Sequence, residues 1–403
     1  MRAPLLSLAA GVPYGTAGEP DVSRGTDAPA AAGRRLLVVS HPAVVSVNQE
    51  VYRELSRRGW VVTIVLPSRW RHAYSRDAVL PRPLEGMEAS LLPTRVAFSG
   101  RPQRHFYLTR ARSVSRRVRP DVAFIEGEPV SAAALQWGHA CMRLGIPFGV
   151  HVYENIDRAF PLPVRALRAR VLREAAFVAA RSQTAATLAR KWGARGEVAI
   201  APPAVPDWPS SPPGRSGNTF TVGYAGRLVE SKGLMDLLAA VRALDAPVEL
   251  LLIGDGELRP QLEGQTIPGS RARVLDGLSH DQMAGAYAQL DVLVLPSLTT
   301  PTWKEQFGRV IVEALWCGVP VVGSDSGEIP WVIGLTGGGL IFPEGDREAL
   351  AAALARLRRD PSLRARLAGA GRAAVERLFS VPAATDPLER LLAHAAQSRQ
   401  PRL

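Results

Sequence analysis

A chain of 403 residues with 46% hydrophobic and 21% charged side chains is long enough for two or three domains and for sizeable buried cores. Its net charge of +12 is uneven: residues 1–200 hold 29 Lys and Arg against 15 Asp and Glu, and the remainder holds 20 against 22. No apolar run reaches the roughly 20 residues that span a bilayer, and two cysteines, Cys141 and Cys317, make no disulfide framework.

A reducing, cytoplasmic compartment is therefore expected. The basic residues are not interleaved with aromatics and no zinc-finger spacing occurs, so nucleic acid is not the expected partner. The basic first half suits an anionic surface, such as membrane lipid or a phosphorylated acceptor. Arg-favouring codon usage is the plainer alternative, since only Lys191, Lys232 and Lys304 are lysines. Residues 1–33, rich in Ala, Gly and Pro, read as a disordered extension, with only a faint signal-peptide character in MRAPLLSLAAG.

From Arg34 the chain reads as βα units. Strands are expected at Arg35–Ser40, Trp60–Leu66, Pro120–Ile125 and Pro147–Val152, with helices at Val47–Arg58 and Ser131–Leu144. An Arg-studded helix is expected over Pro163–Ala180, with Val164, Leu167, Val171 and Leu172 at helical spacing. Residues 34–200 thus form one domain. Residues 201–218, dense in Pro, Gly and Ser, read as a semi-rigid linker. The rhythm then restarts over 219–380, with strands at Thr219–Ala225, Val248–Ile253, Arg273–Leu275, Asp291–Pro296 and Val319–Gly323. Helices follow at Arg347–Arg359, Ser362–Phe379 and Pro387–Ala396, and residues 381–403 form a tail that can pack back on the first domain. The fold class is α/β, with two Rossmann-like, doubly wound domains facing each other across a cleft.

The string Tyr224–Gly233 (YAGRLVESKG) follows a strand and opens a helix. A glycine at the strand end, Gly226, lets a ligand approach the backbone, and a helix N-terminus attracts phosphate. Arg227 and Lys232 would add two positive charges there; two solvated surface cations are the bland alternative. In a chain that otherwise uses Arg, Lys232 hints at a need for a compact point charge. In Glu305–Ala314 (EQFGRVIVEA), Glu305 precedes a helix and Glu313 lies inside it, eight positions on. That is close to two helical turns, which would aim both carboxylates alike, toward sugar or ribose hydroxyls. The loops Gly254–Glu257 and Gly323–Pro330 suit a closely approaching ligand, or are ordinary tight turns.

These strings, in order with LLIGDGE, VLPS, GVPVVGSDSGEIPWVI and GLIFPEGD, resemble glycosyltransferase family 4, a family of retaining enzymes with the GT-B fold. The resemblance runs from about Arg34 to Phe379 and is strongest over Tyr224–Asp346. It implies that Arg227 and Lys232 bind a donor diphosphate, that Glu305 contacts the donor sugar and Glu313 the ribose, and that Gly226, Gly254, Gln306, Phe307, Gly308 and Arg309 lie near sugar and phosphate. In the first half, NQEVYRELSRRGWVVTIVLP resembles the family's opening helix and second strand and PDVAFIEGEP the strand and loop of polysaccharide-type members, although Ser40–Val47 lacks the family's glycine-rich loop. The family's histidine would fall at Tyr153; this chain has His151 two residues earlier, with the same strand parity. His151, Glu154 and Asn155 are expected to line the reaction centre, with Tyr153 on the acceptor side; a core histidine is the alternative for His151.

The resemblance thus implies transfer from a nucleotide-sugar to a glycan or lipid-linked acceptor in cell-surface polysaccharide biosynthesis. No Asp-x-Asp string occurs, so neither metal nor other cofactor is expected. The segment Arg101–Arg119, with seven Arg and no acidic residue, would touch anionic lipid on the inner membrane face, or is a solvated helical surface. A GT-B phosphorylase or epimerase, and a catalytically inactive scaffold subunit, remain as rival readings.

Overall fold

The computed structural model describes residues 33–71, 78–208, 219–245, 247–263, 265, 271–275 and 278–398. The expected N-terminal extension, except Gly33, lies outside the described residues, as do 209–218 of the linker.

The first sheet has strands β1 (Arg35–Ser40), β2 (Val61–Pro67), β3 (Ser90–Thr94), β4 (Val122–Glu126), β5 (Phe148–Val152), β6 (Phe177–Ala180) and β7 (Glu197–Ile200). Their spatial order is β7-β6-β5-β4-β1-β2-β3, all parallel. The second sheet has β8 (Phe220–Ala225), β9 (Val248–Ile253), β10 (Arg271–Leu275), β11 (Val292–Leu295), β12 (Val321–Ser324) and β13 (Gly339–Phe342). Its order is β10-β9-β8-β11-β12-β13, again parallel. Both sheets reverse direction of growth beside their first strand, which opens a crevice at the strand carboxyl ends. Runs such as Leu36-Leu37-Val38 are buried on both faces, as helices on each side of a parallel sheet require.

The chain crosses between the sheets twice. Residues 201–208 have no regular structure, but Val205 and Trp208 are buried in the second core and the Val205 N–H donates to Phe379 O at 2.7 Å. After helix Pro361–Phe379 the chain returns as helix Val381–Gln397, which begins earlier than its expected start at Pro387. Leu388, Leu391, Leu392 and Ala395 of this helix pack with Tyr52, Leu55, Phe124 and Phe177. Arg58 holds it by ion pairs of 2.7 Å to Asp386 and Glu389.

One expectation fails clearly. The helix read over Pro163–Ala180 spans Leu162–Glu174, and Phe177–Ala180 is a fully buried strand. The helical periodicity ends at Leu172, and the run Ala175–Ala180 has no polar face, which suits a strand covered on both sides. Leu167, counted among the apolar stripe, is 45% exposed. Helix Gln183–Lys191 and strands β7 and β13 were not read from the sequence as elements. Among the described residues no helix is long and apolar enough to cross a membrane.

Candidate active site

In the second domain the carboxyl ends of β8 and β9 lead into two loops that fit only because glycines stand where the backbones approach. Gly233, at φ +64°, closes the 3-10 turn Glu230–Lys232, and a Cβ there would sit 1.9 Å from Pro296 O. That close approach sets Lys232 beside the loop after β11. Gly254, at φ +146°, packs on the Gly226 carbonyl with no room for a Cβ. Arg227 stands exposed on the same rim, and its carbonyl accepts from the Tyr224 hydroxyl at 2.7 Å.

Lys232 Nζ lies 2.5 Å from Glu305 Oε2, and the Ser297 hydroxyl donates to the same oxygen at 3.0 Å. Trp303 covers the ammonium, its ring centroid 4.6 Å away. Arg227, Lys232 and Glu305 thus lie on the loops at one sheet edge, offering positive charge and a hydroxyl acceptor side by side. The Glu305 carbonyl accepts from Asn155 Nδ2 at 2.7 Å and from the Glu328 N–H at 3.0 Å. Gln306 turns to the cleft, whereas Phe307 is buried edge-on against Trp331 and Phe379.

As expected, Glu305 precedes the helix that carries Glu313, which begins at Arg309 after Gly308 in the left-handed region. Glu305 therefore sits in the preceding loop, and the eight-residue spacing does not stack the two on one helical face. Glu313 is buried instead behind the loop. The Tyr287 hydroxyl donates to its Oε2 at 2.8 Å, and Arg309 Nε lies 2.9 Å from its Oε1. Burial pushes the Glu313 carboxyl up, and Arg309 and Tyr287 pull it back down.

Across the cleft the first domain supplies a denser polar cluster. His151, near the end of β5, faces a cavity of about 100 Å³ with Asn48, Glu126, Arg181 and Arg309. Burial holds its imidazole well below the ordinary range, and Arg181 and His41 add to that, so the ring is neutral near pH 7. Glu154 and Asn155 do not share this cavity. Glu154 Oε2 pairs with Arg158 Nε at 2.7 Å, on the wall of a wider opening of about 660 Å³ that also includes Arg101, Arg104, Tyr153 and Gln306. Asn155 reaches behind Glu305, and Arg158 donates to Thr302 O at 2.7 Å. The cluster expected at His151, Glu154 and Asn155 is thus divided between two cavities and the back of the Glu305 loop.

Several residues of this cleft escaped the sequence reading. Glu126, at the end of β4, accepts from the hydroxyls of Ser40 and Tyr52 at 2.6 Å each. Glu128 Oε1 accepts the N–H groups of Tyr153 and Glu154 at 2.7 and 2.8 Å, and burial pushes its carboxyl up to about 7. Glu328, from the second domain, is buried beside the hydroxyls of Thr184 and Ser182 in the first, and burial raises its carboxyl too. Acidic residues directly after an apolar strand, as in AFIEGEP, were the available signal for the first two.

Residues 219–360 match the family model described as glycosyl transferases group 1. The chain is 37% identical over 169 residues to the lipopolysaccharide core biosynthesis glycosyltransferase LpsE of Rhizobium meliloti, covering 42% of this chain and 48% of that one. It is 37% identical over 164 residues to the phosphatidyl-myo-inositol mannosyltransferase of Mycobacterium leprae, covering 39% and 42%. Each match thus takes in less than half of the relative's length. Among solved structures, sucrose-phosphate synthase of Thermosynechococcus elongatus aligns over 90% of this chain and 98% of its own, with a TM-score of 0.67 at 18% identity. HepE of Anabaena in complex with UDP and glucose aligns over 90% and 100%, with a TM-score of 0.67 at 18% identity. The protein therefore has the GT-B fold, two Rossmann-like domains across a cleft, and its second domain matches the group 1 glycosyl transferases.

Proposed function

We propose that this protein is a retaining glycosyltransferase of the family 4 type. It moves a sugar from a nucleoside-diphosphate sugar to a hydroxyl of a glycan or lipid-linked acceptor in cell-surface polysaccharide biosynthesis. The observation that carries the reading is the Lys232–Glu305–Ser297 constellation at the carboxyl edge of the second sheet, inside the segment that matches the family model. Relatives named for lipopolysaccharide core, amylovoran and capsular polysaccharide biosynthesis support the acceptor class.

Breaking the bond between the anomeric carbon and the diphosphate builds negative charge on the leaving phosphate. Arg227 and Lys232 answer that charge from a preorganised rim, with no metal needed. Glu305 holds the sugar hydroxyls and Glu313 those of the ribose. The acceptor attacks from the face of the leaving phosphate, which takes the acceptor proton. His151, neutral at pH 7, lends a hydrogen bond at the first-domain wall rather than a charge. Approach of the two domains excludes water and limits hydrolysis of the donor.

The acceptor enters through the wider opening. The loop that forms one wall with Arg101 and Arg104 also exposes Phe98, Phe106 and Leu108. An exposed apolar group beside the arginines of Arg101–Arg119 suits contact with an anionic bilayer.

Calorimetric titration with UDP, GDP and ADP in the presence of EDTA tests the donor site. Binding of one nucleotide, lost in Lys232→Ala, is the expected result. Binding of none of the three to the wild type would overturn the reading and bring the scaffold alternative forward.

A further inference from the structure

Arg309, which follows the Glu305 loop, touches both domains. It opens helix Arg309–Trp316, its Nε 2.9 Å from Glu313 Oε1, and its Nη1 donates to Asn48 Oδ1 of the first domain at 3.1 Å. The groups facing the Glu313 carboxylate are Arg309 and Cys317 on its own helix and Tyr287 on the helix packed against it. Arg309 is the only cation among them. It also lines the cavity holding Glu126, His151 and Arg181, so it stands where the two domains meet.

A carboxylate has about four lone-pair sites. The Tyr287 hydroxyl engages one site on Oε2 and the Arg309 guanidinium stands against Oε1 as an ion pair, which leaves lone pairs on each oxygen for a vicinal diol. Two neighbouring hydroxyls of a ribose have that geometry. A neutral carboxylic acid would accept less strongly and would need to place its own proton.

We propose that Arg309 is a positioning residue for the nucleotide: it fixes the Glu313 carboxylate in its ionised form and in the orientation that receives a ribose diol. This rests on the donor-site reading above. The contact with Asn48 is then secondary, a consequence of where the arginine lies in the cleft.

Burial pushes the Glu313 acid upward, and the guanidinium is the first of the influences that oppose it. Removing the guanidinium raises the acid further, so the neutral form persists to higher pH. Ribose recognition should therefore fall at neutral pH and return as the solution becomes alkaline.

The test is calorimetry on the full chain with UDP, GDP and ADP, and with the 2′,3′-dideoxy form of whichever binds, from pH 6.5 to 9. The proteins compared are wild type, Arg309→Gln, Arg309→Lys and Asn48→Ala. Arg309→Gln should bind the ribonucleotide about tenfold more weakly at pH 7 and within about twofold of wild type at pH 9. The preference for the ribonucleotide over its dideoxy form should shrink at pH 7. Arg309→Lys should retain part of that preference, and Asn48→Ala all of it.

A pH-independent loss in Arg309→Gln with the ribose preference intact would overturn the proposal, as would an Asn48→Ala variant that behaves the same way. No nucleotide binding by wild type would instead defeat the donor-site reading, and this inference with it. Normal donor binding with no role for Arg309 defeats the inference alone.

Discussion

The two domains repeat one strand order but arm their carboxyl ends differently. The second domain builds its rim from close-packed glycine loops and a few charges, with Lys232, Glu305 and Ser297 in direct contact. The first buries charged and hydroxyl groups beneath its rim: Glu126 under Ser40 and Tyr52, Glu128 under the Tyr153 and Glu154 amides, and His151 beside Arg181. A rim of backbone and glycine is suited to a ligand part that is always the same, such as a diphosphate. A rim supported by buried side chains can be changed one residue at a time, which suits the part that varies. The contrast predicts that damage to the second domain abolishes turnover outright, while damage to the first shifts stability, pH response or acceptor handling.

The largest effect should come from Lys232→Ala. Loss of one preorganised cation at a leaving phosphate is expected to lower kcat by about a hundredfold to a thousandfold, with some loss of stability because Glu305 is left without its buried partner. Donor turnover by thin-layer or coupled assay reads this; a drop below tenfold would erase the asymmetry between the domains. Next is Gly233→Val, which puts a branched side chain at positive φ and into Pro296 O. About 3 kcal/mol of stability should be lost, measured by urea titration.

Glu128 sharpens the other side of the comparison. Its carboxyl is raised to about 7 in the folded protein from an ordinary 4.5. The folded state therefore holds the proton more tightly than the unfolded chain between these values, so stability falls as pH rises from about 5 through 7 and levels off above. Glu128→Gln should remove that slope, with a difference on the order of 3 kcal/mol building up across the window, read by denaturant titration at a series of pH values. Parallel curves for the two proteins would mean that the carboxyl titrates normally. The smallest effect on catalysis should come from Arg112→Glu with Arg116→Glu, two exposed positions on helix Ala111–Val118. Flotation with anionic vesicles at low salt should weaken about tenfold, with donor hydrolysis unaffected; unaltered flotation would remove the bilayer from this face.

The same asymmetry governs what the sequence disclosed. Strands β8 and β9, the Gly226 and Gly254 turns, Lys232 and Glu305 could all be read, because local glycine and charge patterns specify them. Strand Phe177–Ala180 could not, since four buried residues following a helix carry no periodicity of either kind. The Glu305 and Glu313 pair was found by spacing, but its geometry was misjudged. Gly308 delays the helix start, and the fold of the loop depends on Asn155 from 150 positions away. Glu126, Glu128 and Glu328 gain their environments from such distant partners, and only the place of the first two directly after an apolar strand sets them apart from surface acids.

The return of helix Val381–Gln397 to the first sheet bears on how the molecule comes into being. Translation proceeds from the amino end, so β1–β7 emerge long before the helix that covers Phe124 and Phe177 exists. The first domain must wait, with part of one apolar sheet face open, while the whole second domain is synthesised. Loss of this helix would leave that face uncovered and leave Arg58 with Glu54 alone of its three acidic partners, so the helix serves as the closing clasp of the domain made first.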